Sequence, residues 1–67
     1  MTPEFPLRII TDEGECEVIT SPDDLIQRVD SLDSTDPRGR VWVRDALDRT
    51  VLLRMRGGMI EVLAIRP

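Results

Sequence analysis

Gly57-Gly58 stands between the two longest strand-like stretches of the chain, 50–56 and 59–65, and this constrains the fold more than any other feature. A Gly-Gly pair takes positive φ at no steric cost and so closes a two-residue hairpin. The resulting register sets Met55 opposite Ile60, Leu53 opposite Val62 and Val51 opposite Ala64 on one face. Arg54 then faces Glu61 and Leu52 faces Leu63 on the other. A hairpin with an apolar face is only marginally stable alone, so the rest of the chain must cover that face.

The cover is announced by Ser21-Pro22-Asp23-Asp24. Ser21 is an N-cap, Pro22 suits the first helical position, and the two acids favour the positive end of the helix dipole. Leu25, Ile26, Val29 and Leu32 follow at the spacing of one buried stripe, which predicts a helix over 22–32 ending before the turn-rich Ser34-Thr35-Asp36-Pro37-Arg38-Gly39.

Upstream, 7–11 and 16–20 read as a hairpin with a tight turn at Glu13-Gly14. That turn pairs Asp12 with Glu15, setting Ile9 opposite Val18 and Thr11 opposite Cys16 on the covered face, and Ile10 opposite Glu17 and Arg8 opposite Ile19 on the other. Residues 40–45 form a further strand. A three-residue loop Ala46-Leu47-Asp48 keeps Val41 and Val43 on the core face, whereas a four-residue loop turns Trp42 inward; both remain open. Pro3 and Pro6 make 1–6 a flexible N-terminal arm, with Phe5 against the core.

The expected fold is a single small α+β domain over 7–67, β-β-α-β-β-β, with an antiparallel sheet of up to five strands and one helix packed on one face. A right-handed crossover through the helix gives the sheet order 2-1-3-4-5.

Composition narrows the function. The 67 residues include no histidine, and all nine cations are arginine, so neither a neutral-range imidazole nor a Schiff-base amine is at hand. A non-enzymatic protein is expected, with no cofactor and no metal. Cys16 is the sole cysteine, which excludes an intramolecular disulfide and fits a reducing cytoplasm. Flanked by Glu15 and Glu17, it reads as a small core residue and a poor nucleophile. The acidic run 12–17 lacks the ligand spacing of a calcium loop and reads as a solvated turn. No apolar run approaches the roughly 20 residues that cross a bilayer, so no membrane association is expected.

Charge is divided along the chain. Residues 1–37 hold ten acids and two arginines, and residues 38–67 hold seven arginines and three acids, for a net charge of −4. The helix-free face of the sheet is expected to carry Ile10, Ile19, Trp42, Leu52, Leu63 and Ile65 among Arg8, Arg44, Arg54, Glu17 and Glu61, more apolar than a solvent face. The surface formed by Ile10, Ile19, Trp42, Arg44, Leu52, Arg54, Leu63 and Ile65 therefore reads as a protein-binding or assembly face, for a homodimer or a small protein partner. The alternative is a weak single-stranded nucleic-acid binder using the strand arginines and Trp42. A net negative chain with one tryptophan and no lysine makes a nucleic-acid partner the weaker reading.

Overall fold

The computed structural model describes residues 2–67. Its elements run β1 (Leu7–Thr11), β2 (Cys16–Ile19), α1 (Pro22–Arg28), β3 (Ser31–Asp33), β4 (Val41–Arg44), β5 (Thr50–Arg56) and β6 (Met59–Arg66). This is a single small α+β domain in which every strand pair is antiparallel. The strands lie in the order β2-β1-β4-β5, with β6 on one edge of β5 and the short β3 on the other. Setting β3 aside, this is the expected order. The core is Leu7, Ile9, Ile19, Leu25, Val43, Val51, Leu53 and Met55, drawn from β1, β2, α1, β4 and β5.

Two hairpins follow the sequence closely. Gly57 and Gly58 both adopt positive φ and close β5 onto β6, with Met55 opposite Ile60 and Leu53 opposite Val62. The β4–β5 connection takes the three-residue loop, since Asp45 N–H donates to the Arg49 carbonyl at 3.0 Å and Asp48 takes the left-handed position at φ 61°. Val43 is consequently buried and Trp42 points outward.

Elsewhere the chain departs from its local signals. The β1–β2 turn is a three-residue loop, Asp12 to Gly14, closed by Thr11 N–H to the Glu15 carbonyl at 2.9 Å with Gly14 at φ 88°. This one-residue slip pairs Leu7 with Ile19 and Arg8 with Val18. Because side chains alternate along a strand, it exchanges the two faces of β2. Ile19 is fully buried, Val18 is 48% exposed, and Cys16, expected in the core, is exposed. The slip also leaves Asp12 N–H free to donate to the Arg40 carbonyl at 3.0 Å, which prolongs the β1–β4 ladder.

The helix stops at Arg28 rather than near Leu32. Val29 caps it in an extended conformation, and Ser31–Asp33 becomes a sixth strand on β5. Val29, Asp30 and Ser31 are weak helix formers, and β5 offers Ser31, Leu32 and Asp33 a ladder instead. That ladder is free because β4 meets β5 only at Arg44 and Thr50. Ser34 completes the seam: its Oγ donates to the Val51 carbonyl at 2.8 Å and accepts from Leu53 N–H at 2.9 Å.

A bulge shifts the β5–β6 register between Leu52 and Leu53, so Leu52 lies opposite Ala64 and Val51 opposite Ile65. Leu63 is the extra residue of β6. Ile65, expected on the open face, turns inward and packs against the core.

Residues 2–6 lie against the domain, with Phe5 on the core as expected. Pro3 is buried. The Glu4 carbonyl accepts from Ala46 N–H at 2.7 Å. Met1, the first residue of the expected arm, lies outside the described residues.

Candidate partner-binding face

The helix-free side of β2, β1 and β4 is a small grid set by the observed registers. One row runs Cys16, Ile10, Trp42 and the next Val18, Arg8, Arg44. Trp42 is 43% exposed, and its ring edges Gly39, where an added Cβ would come within 3.7 Å of Cζ2. The grid therefore presents an apolar strip beside two arginines.

Arg8 and Arg44 sit directly opposite each other, an arrangement that like charges disfavour. Asp48 resolves it. Its Oδ1 accepts from Arg8 Nη2 at 2.5 Å and lies 3.9 Å from Arg44 Nη1, which also donates to the Asp48 carbonyl at 3.2 Å. The left-handed turn residue thus holds both guanidinium groups at the edge of the apolar strip.

Of the expected surface residues, Ile10, Trp42 and Arg44 come together here. Leu52, Arg54 and Leu63 lie on β5 and β6, across the seam where β4 and β5 part. Leu52 stands opposite Ala64, Leu63 is 41% exposed, and Arg54, opposite Glu61 in the ladder, directs its guanidinium toward Asp33 at 4.0 Å. Ile19 and Ile65 belong to the core side. Val18 and Cys16 join the face through the one-residue slip that removes Ile19, whereas Ile65 leaves it through the bulge at Leu63.

Asp45 has a structural role that the sequence reading did not single out. Fully buried at the end of β4, its carboxylate accepts from Arg49 Nε at 2.9 Å and Arg49 Nη2 at 2.6 Å. Leu47 and Arg49 N–H add bonds at 3.1 and 2.9 Å, and Glu4 N–H one at 3.3 Å. Burial pushes the Asp45 carboxyl up, but these hydrogen bonds outweigh it and hold the pKa at about 2. The available signal was Arg49 four residues on, across a loop closed by Asp48.

Asp24 and Asp33 are likewise held below the ordinary carboxylate range. Asp24 is lowered chiefly by the Thr20 backbone N–H, and Asp33 by the Thr35 hydroxyl and N–H. These two carboxylates serve as local backbone clamps. Among the described residues no three of the potential metal-ligating side chains converge, and no helix is long and apolar enough to cross a membrane. No protein-family model matches the chain, and neither a curated protein nor a solved structure matches it.

Proposed function

We propose that this chain is a non-enzymatic protein-binding or assembly module whose helix-free face receives a protein partner, with a second copy as the simplest candidate. The supporting observation is the outward-facing row Cys16, Ile10, Trp42, with Cys16 and Trp42 exposed and Ile10 half-buried between them, bordered by Arg8 and Arg44 that Asp48 engages. Tryptophan and arginine are enriched where interface energy concentrates, and fixed arginines lose little rotamer freedom on binding. Arginines already engaged by an aspartate are poorly placed to collect phosphates, which weighs against the nucleic-acid reading.

Trp42 is the only tryptophan and so reports on its own burial. On raising the protein concentration, or on adding a partner recovered with it, its emission should shift to the blue as the mass measured by light scattering rises. Trp42→Ala should weaken association at least tenfold while leaving the circular dichroism unchanged. A chain that stays monomeric at millimolar concentration, with partners retained equally by Trp42→Ala, overturns the proposal.

A further inference from the structure

β2 and β6 are outer strands at opposite ends of the sheet, and only one of them is covered. On β2 the Val18 carbonyl accepts from Arg28 Nη1 at 2.9 Å, and the same guanidinium pairs with Glu17 at 2.9 Å, so a side chain occupies that edge. β6 pairs only with β5; among the described residues no other backbone hydrogen bond reaches it.

The groups that β6 leaves open follow from β5. Ser34 N–H donates to the Leu53 carbonyl at 3.0 Å, and Ser34 Oγ accepts from Leu53 N–H and donates to the Val51 carbonyl. Val51, Leu53 and, by alternation, Met55 therefore turn their backbone groups away from β6. Their opposite residues Ile65, Val62 and Ile60 turn theirs away from β5, to the open edge. The bulge at Leu63 sets Val62 and Ile65 three residues apart where a regular strand has two. An ordinary strand does not match that interval, which protects the edge from chance pairing. A second β6 matches it, because reversal about a two-fold axis sets Val62 opposite the second copy's Ile65 and Ile65 opposite its Val62.

Charge favours the same register. It sets Glu61 opposite the second copy's Arg66, twice by symmetry. Both residues are exposed, and both lie on the helix-free side of the sheet, opposite Arg54 and Thr50. Among the described residues neither forms an ion pair. The other antiparallel arrangement that joins two open-edge pairs sets Ile60 opposite Val62, and it brings Glu61 against its own copy, where like charges repel. In the favoured register Leu63, 41% exposed, stands opposite Ala64 beside the axis, so apolar side chains fill the centre between the two ion pairs.

We infer that β6 is a self-pairing edge: two copies join through antiparallel β6 strands about a two-fold axis, with Val62 bonded to Ile65 and Glu61 paired with Arg66 of the other copy. The bulge selects a second copy over other strands. A contact of six residues per copy is far smaller than a standard interface, and its dissociation constant is about 1 mM. It does not rest on the Trp42 face, which lies on β2, β1 and β4.

Dilution of nitrogen-15-labelled protein from about 2 mM to about 0.1 mM tests this. The Val62 and Ile65 amide resonances should shift with concentration, in the parent and in Trp42→Ala alike. Glu61→Arg and Arg66→Glu each set like charges opposite each other twice, so each alone should weaken this association at least fivefold with unchanged circular dichroism. Mixed one to one they restore both ion pairs. Unlabelled Arg66→Glu should therefore move the Val62 and Ile65 amides of labelled Glu61→Arg with an affinity within twofold of the parent's. Fixed Val62 and Ile65 resonances in the parent, loss of their shifts in Trp42→Ala, unweakened association of both charge variants, or a mixture no tighter than either variant alone overturns the inference.

Discussion

Asp45→Ala should lower the melting temperature by about 15–20 °C at pH 7. The substitution strands the Leu47, Arg49 and Glu4 N–H groups and leaves the Arg49 guanidinium without its carboxylate. Removing one partner of a buried, hydrogen-bonded ion pair costs about 3 kcal/mol or more. A 67-residue domain has about 3–10 kcal/mol of stability in all, and each kcal/mol shifts the midpoint by about 4–8 °C at this size. Because Glu4 N–H is one of the orphaned donors, the arm should loosen as well, seen as faster exchange of the Ala46 amide that bonds the Glu4 carbonyl.

Asp45 also sets an acid limit. Its pKa is 3.8 in the reference state and about 2 in the fold, so the native state favours the ionised form by about 2 kcal/mol. That stability is fully present above pH 3.8 and is lost as pH falls through about 2. Thermal melts between pH 5 and 2 should show the decline in the parent and a shallower one in Asp45→Asn. Equal slopes in the two proteins contradict the role given to this carboxylate.

Leu25→Asp should unfold the protein at room temperature, and Ile26→Asp should leave it folded. Leu25 is 1% exposed and Ile26 is 40% exposed, although they are neighbours on α1. Truncating a buried leucine already costs about 2–5 kcal/mol, and an unpaired carboxylate adds several more. An exposed substitution is usually within about 0.5 kcal/mol. Val29 only half-faces the core as the helix cap, so Val29→Asp should fall between the two. Circular dichroism melts decide the order; comparable melting of the Leu25 and Ile26 variants rules out the helix orientation.

The parts of this fold that can be read from sequence are those decided within a few residues. Ser21 accepts from Asp24 N–H at 3.1 Å, and Gly57 and Gly58 supply the conformation their turn demands, so the helix start and the last hairpin follow from local chemistry. Distant partners settled the remainder. Glu13-Gly14 suits either a two-residue or a three-residue turn, and the choice brings Ile19 into the core and Asp12 N–H to Arg40. Leu32 fits a helical stripe and a strand opposite Met55 equally well, and only the parting of β4 from β5 opens the place it fills. The bulge at Leu63 has no glycine or proline to mark it. Of the expected face, Ile10, Trp42 and Arg44 stand together, the outward turn of Trp42 depending on a loop length that the sequence left open; Ile19, Val18 and Cys16 changed sides with the β2 register and Ile65 with the bulge.

The outward-facing row on which the functional reading rests holds the only thiol and the only tryptophan in the chain, two strand spacings apart, or about 10 Å. Labelling Cys16 with a nitroxide and following Trp42 emission tests that row most directly. The thiol should react in the native protein within about threefold of its rate in denaturant, the labelled protein should keep its circular dichroism, and Trp42 emission should be strongly quenched until the chain is unfolded. A thiol protected until unfolding, a label that unfolds the domain, or an unquenched Trp42 contradicts the register that builds the face.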